Sequence, residues 1–184
     1  MSKYAVIVID MLNDFVYGAL KCERAHLIIP NMKKLLAAAR DRGIPVIYAN
    51  DAHDKRIDHE FKLWGQHAVK GSDGSRVIEE LEPAESDYVV EKKRYSAFYE
   101  TGLDMLLREL EVDTVVLTGL HTNICVKHTA ADAFYRGYNI IILSDAVQTF
   151  TDEDHNWGLK YAERIYGAKI MTTEEFLNMI SYTR

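Results

Sequence analysis

Apolar runs and segments of helical spacing alternate along the chain from one end to the other. Tyr4-Ala5-Val6-Ile7-Val8-Ile9 contains no charged residue and is too short for a buried helix, so it reads as a strand covered on both faces. Between Pro30 and Arg42, Met32, Leu35, Leu36 and Ala39 recur at helical spacing, and Gly43 supplies a C-terminal stop. The same alternation predicts strands at 45–49, 87–90, 114–118, 139–143 and 169–171. It predicts helices over 101–110, 124–136 and 152–167, and a last one from Thr172. Thr101 with Asp104, and Thr172 with Glu175, have the spacing of capping pairs. Strands that each feed a helix require right-handed crossovers. The expected fold is therefore α/β: a three-layer, doubly wound, six-stranded and mainly parallel sheet of order 3-2-1-4-5-6, in one domain spanning residues 1–184.

One stretch breaks the alternation. Residues 50–75 carry Asp51, His53, His59, Trp64, Gly65 and His67 with little periodicity. Long connections inside compact domains are usually functional or disordered, and the aromatic residues here argue for function.

In an open parallel sheet, ligands bind beyond the carboxyl ends of the strands. The residues just past each strand are thus the candidate chemistry: Asp10 after the first, Asn50, Asp51 and His53 after the second, Glu91 to Arg94 after the third, and Gly119 to Cys125 after the fourth. Cys125 opens a helical segment, where free backbone N–H groups favour a thiolate and bind a developing oxyanion; the alternative is an inert buried cysteine. Asp10 is either a helix N-cap or a working carboxylate whose pKa burial raises. Lys92 completes a carboxylate, ammonium and thiol set on one rim. In the expected strand order it lies three strands from the fourth, about 14 Å away, so it reaches the pair only if the segment around Tyr95 and Phe98 folds back over the rim; Lys93 is the alternative.

Composition narrows the function classes. Lys plus Arg number 22 against 28 Asp plus Glu, a net charge of -6, which disfavours a general nucleic-acid binder. Cys22 and Cys125 are the only cysteines among the 184 residues, so no disulfide framework is expected and Cys22 has no comparable setting. No apolar run reaches the roughly 18 residues of a membrane span, and a cytoplasmic protein with no membrane partner is expected. Neither a glycine-rich phosphate loop after the first strand nor a Cys-x-x-Cys pair is present, which sets aside nucleotide-binding and redox modules.

Several blocks together resemble the isochorismatase-like cysteine hydrolases, the group containing nicotinamidases and N-carbamoylsarcosine amidase. They are Val8-Ile9-Asp10-Met11 with Asn13-Asp14-Phe15, Lys92 with Arg94-Tyr95-Ser96-Ala97-Phe98, Thr118-Gly119, Thr122-Asn123-Ile124-Cys125-Val126 with Thr129-Ala130, and Ser144-Asp145-Ala146. The resemblance implies a catalytic triad of Asp10, Lys92 and Cys125, a cis peptide at Leu120–His121, and an oxyanion hole from the backbone N–H groups of His121 and Cys125. Isochorismatases proper lack this cysteine, so Cys125 implies the amidase branch: a cysteine amidohydrolase releasing ammonia from a small amide, without an organic cofactor. Asp51, His53 and His67 match the nicotinamidase metal pattern and imply a site for Zn²⁺ or a similar ion, with His59 as a competing ligand. Phe15, Trp64 and Tyr95 are the candidate substrate contacts. Leu12, where relatives often carry Gln, and His121, a large residue beside the oxyanion donor, leave nicotinamide-like carboxamides and N-carbamoyl amino acids both open. The resemblance also implies a homodimer or homotetramer. A non-catalytic member of the same fold, serving in assembly or binding, is the alternative.

Overall fold

The computed structural model describes residues 3–181. β1 (Tyr4–Ile9), β2 (Val46–Asp51), β3 (Tyr88–Lys92), β4 (Thr114–Leu120), β5 (Asn139–Gln148) and β6 (Lys169–Met171) form one sheet of order β3-β2-β1-β4-β5-β6. Every pairing is parallel, so the sheet is wholly rather than mainly parallel. Seven α-helices flank it among the described residues: α1 (Asn13–Val16), α2 (Ile29–Asp41), α3 (Phe61–Trp64), α4 (Leu103–Glu109), α5 (Lys127–Tyr135), α6 (Asp152–Tyr166) and α7 (Thr173–Ser181). No helix among these residues is long and apolar enough to cross a membrane.

The three layers follow from alternation within the strands. Val6 and Val8 face one core with Met32, Leu35, Leu36 and Ala39 of α2 and Phe176 and Ile180 of α7. Ala5, Ile7 and Ile9 face the other, with Leu103 and Leu107 of α4, Ala130 and Ala133 of α5, and Leu159 and Ala162 of α6. Both faces of β1 are thus removed from water, as its continuous apolar run requires. Cys22 is buried in the first core and is not a site residue.

Three local expectations change. Thr172 and Glu175 do form a reciprocal capping box, but Thr101 and Asp104 do not: Thr101 Oγ1 accepts from Leu103 N, and Asp104 accepts instead from Tyr138 and Arg108. β5 continues five residues beyond the predicted end at Leu143, because Val147 and Gln148 pair with Gly119 and Leu120 after a register shift. The helix expected from Ile124 begins instead as a π-helical turn over Thr122–Val126, before α5.

The sheet is tightest where β1 and β4 end. Ile9 is opposite Gly119, and a Cβ on Gly119, whose φ is +96°, would lie 2.0 Å from the Ile9 carbonyl oxygen. Only glycine allows that approach, which brings the residues following both strands together.

Candidate active site

Asp10 leaves β1 with φ of 54° and so turns its side chain away from the strand's pleat. It is not a helix cap: α1 has Leu12 at its N-cap and no side-chain capping bond. Its Oδ1 accepts from the Asp51 backbone N–H at 2.9 Å, and its Oδ2 lies 2.7 Å from Lys92 Nζ. Lys92 ends β3 opposite Asp51 of β2, and its Nζ donates to Asp51 Oδ1 at 2.6 Å. The extended lysine side chain therefore crosses β2 by itself, and no folding-back of the segment around Tyr95 and Phe98 is needed. Lys93, the residue after the strand, is exposed. Lys92 Nζ also lies 3.9 Å from Cys125 Sγ, and the Asp10 carboxylate is close enough to act on the titration of the same thiol.

All four charged or reactive groups are at most 5% exposed, so burial dominates their titration. Burial, reinforced by the facing Asp51, raises Asp10 to about 6 against the pull of Lys92. Burial also works to raise Asp51, but Lys92 and His53 outweigh it and hold that carboxyl at about 2. Lys92 is desolvated too, yet Asp10 and Asp51 keep it firmly protonated. Burial pushes the Cys125 thiol well above its ordinary value, and Lys92 only partly opposes this. The helix start favours a thiolate, as the sequence suggests, but desolvation and two nearby carboxylates win. At neutral pH the site holds a thiol beside a mostly ionised carboxylate.

The polypeptide between β2 and β3 forms the facing wall. His53 N–H donates to Ala68 O, and Lys70 N–H donates to His53 O, both at 2.9 Å. This short parallel bridge returns His67 to a position beside His53, with ring centroids 4.6 Å apart. Asp14 Oδ2 accepts from Ala68 N at 2.8 Å and fixes the return from the other side. Ligand atoms of Asp51, His53 and His67 all lie within 4.8 Å of one another. His53 Nδ1 is hydrogen-bonded to Asp58 Oδ2 at 2.8 Å, and His67 Nδ1 to the Gly65 carbonyl at 2.8 Å. Both rings are thereby oriented with Nε2 inward. His53 Nε2 is buried without an aligned hydrogen-bond partner. Two imidazole nitrogens and a carboxylate oxygen suit Zn²⁺ or a similar ion, so the residues present fit a divalent metal. His59 is exposed and outside this cluster.

A crevice opens over Cys125, walled by Phe15, Trp64, Tyr95, His121 and Phe150. Trp64 Nε1 donates to Tyr95 OH at 3.0 Å, joining two of the candidate substrate contacts into one edge. The cavity holds about 30 Å³, room for about one water. The Leu120–His121 peptide is cis, and the His121 N–H has no protein acceptor among the described residues. Cys125 lies within the π turn, four residues on.

The structure thus gathers Asp10, Lys92, Cys125, His121, Asp51, His53, His67, Phe15, Trp64 and Tyr95 at one end of the sheet. It adds three residues that sequence patterns missed. Asp58 orients His53, and Phe150 stacks on His121 with centroids 4.3 Å apart. Glu60, buried at the crevice and facing Asp51, is raised by burial and that charge to about 7. Asp58 and Glu60 flank His59 in an aperiodic stretch, where the clustering of acids with histidines was the available signal.

Known proteins resemble this chain in sequence and fold. The model of the Isochorismatase domain matches residues 4–175. The chain is similar to N-carbamoylsarcosine amidase from Thermoplasma acidophilum, at 46% identity over 93% of this chain and 96% of that one, with a TM-score of 0.87. It is also similar to the nicotinamidase PncA from Bacillus subtilis, at 37% identity over 92% and 99% of the respective chains, with a TM-score of 0.87. A third similar structure, at 28% identity over 92% and 99% and a TM-score of 0.86, is the pyrazinamidase of Pyrococcus horikoshii in complex with zinc.

Proposed function

The chain belongs to the isochorismatase family, and from that membership we propose that it is a cysteine amidohydrolase. It would cleave the C–N bond of a small amide or ureido substrate and release ammonia through a thioester. The observation that carries this reading is the buried set of Asp10, Lys92 and Cys125 at the floor of an aromatic crevice.

Asp10 takes the thiol proton as Cys125 attacks the carbonyl carbon, since the neutral thiol is a poor nucleophile. The electron pair displaced onto the carbonyl oxygen is held by the backbone N–H groups of His121 and Cys125. Such a donor typically contributes about 3–4 kcal/mol to acyl transfer. When the tetrahedral adduct collapses, Asp10 returns the proton to the departing nitrogen, leaving ammonia and an acyl-cysteine. Water, deprotonated by the same carboxylate, then attacks the thioester and regenerates the thiol. Lys92 holds Asp10 in place and keeps its carboxylate from rising further in pKa. Asp51, His53 and His67 would hold a divalent ion such as Zn²⁺, which supplies an anchoring point for a basic atom of the substrate or for water.

The test is an ammonia-release screen over nicotinamide, pyrazinamide and N-carbamoyl amino acids, with Zn²⁺ and with a chelator. At least one of these is expected to turn over. Cys125→Ala is expected to abolish that activity and Asp10→Asn to lower kcat by about 10²–10⁴-fold, with the circular dichroism of both variants unchanged. Near-normal turnover in either variant removes the mechanism.

A further inference from the structure

The His121 side chain is held more firmly than the backbone role of that residue requires. Its ring is buried, stacks on Phe150 at 23° between planes, and meets Phe15 edge-on at 6.0 Å. His121 Nδ1 lies 3.4 Å from Thr149 Oγ1. The Thr149 hydroxyl has one hydrogen, and it is donated to Asn123 Oδ1 at 2.8 Å. Toward His121 the hydroxyl can therefore only accept, which places the imidazole hydrogen on Nδ1. Nε2 keeps its lone pair and has no protein partner among the described residues, in a ring that lines the crevice beside Cys125. Burial pulls the group down to about 4, so the ring is neutral at physiological pH and this acceptor is permanent.

An acceptor held in place on the crevice wall, with no protein donor to meet it among the described residues, suits a donor from the ligand. In a ring carboxamide the carbonyl is bonded to carbon on its retained side, and every N–H belongs to the departing nitrogen, which Asp10 must reach. In an N-carbamoyl compound the retained side carries a second N–H. Resting on the cysteine-amidohydrolase reading, we propose that His121 Nε2 accepts a hydrogen bond from this retained N–H, and that His121 thereby selects N-carbamoyl amines over ring carboxamides.

The test compares N-carbamoylglycine with its oxygen isostere, O-carbamoylglycolate, by calorimetric titration of Cys125→Ala protein, where neither ligand is consumed. The nitrogen compound is expected to bind about 10- to 100-fold more tightly. Adding His121→Phe, which keeps the aromatic stack, should bring the ratio near one. Adding His121→Gln, which keeps an acceptor, should preserve most of it and guards against a Phe variant that misfolds. Equal affinities in the Cys125→Ala protein, a ratio unmoved by the Phe substitution, or no binding of either ligand would each overturn the assignment. Failure of the amidohydrolase reading is separately visible, because then the unsubstituted enzyme releases ammonia from none of the screened amides even if binding discriminates as expected.

Discussion

As the base of the proposed reaction, Asp10 must be basic enough to take a thiol proton yet ionised at the working pH. Burial and the facing Asp51 supply the basicity by lifting it to about 6, and Lys92 sets the limit on that rise. A carboxyl at its ordinary value would be a weaker base toward a thiol that burial has made less acidic. The expected consequence is an acidic limb in kcat/KM: activity is level above pH 7 and falls about tenfold per pH unit well below 6, as Asp10 becomes protonated. Glu60 is the other group that titrates nearby, at about 7. A pH profile of Glu60→Gln separates them: a limb that stays near 6 belongs to Asp10, and one that disappears belongs to Glu60. A profile flat to pH 4.5 would show that Asp10 is not the base. That an acid follows the first strand is visible in the sequence, but the basis of its shift is not, because Asp51 and Lys92 reach it from two other strands.

At the level of elements, the four central strands were legible because apolar runs buried on both faces leave few alternative readings. Helix positions were legible where glycine stops or a Thr–Glu box marked the ends, as at Gly43 and Thr172. The misreadings have one cause, the override of local pattern by neighbours. Ser144 and Asp145 look like a loop, yet β4 still offers pairing partners farther along, at Gly119 and Leu120. Thr101 looks like half of a capping box, but Tyr138 and Arg108 compete for Asp104. The connection between β2 and β3 shows the same limit: its candidate metal ligands were readable by resemblance, whereas the carboxylate behind them was not. Asp58 bonds the outer nitrogen of His53 and fixes the ring with its other nitrogen facing inward. Asp58→Asn is therefore expected to weaken Zn²⁺ binding by about 10–100-fold, measured by competition with a chelating dye. An unchanged affinity would mean that His53 needs no such support, or is no ligand.

For the whole molecule, the candidate site is a local cost set into an otherwise apolar architecture. Two cores on opposite faces of the sheet support a rim where two carboxylates and one ammonium are buried together. Desolvating such groups is tolerable only while each is paired, and removing one partner typically costs about 3–5 kcal/mol. Lys92→Met should therefore lower stability by about that amount at pH 8, measured by urea unfolding in chelator. Lys93→Met, at the exposed position just after that strand, should change it by no more than about 0.5 kcal/mol. The Lys92 penalty should also depend on pH with a definite sign. Without the ammonium, Asp10 faces Asp51 unopposed, and its folded-state pKa rises beyond about 6, farther above the unfolded value of 3.8. A carboxyl raised on folding favours the native state when protonated, and loses that advantage as pH rises through its folded pKa. The deficit of Lys92→Met relative to the parent should thus shrink between pH 8 and pH 5. A deficit that widens on acidification, or a larger loss from Lys93→Met, would mean that the Asp10–Lys92–Asp51 cluster does not govern the stability of this rim.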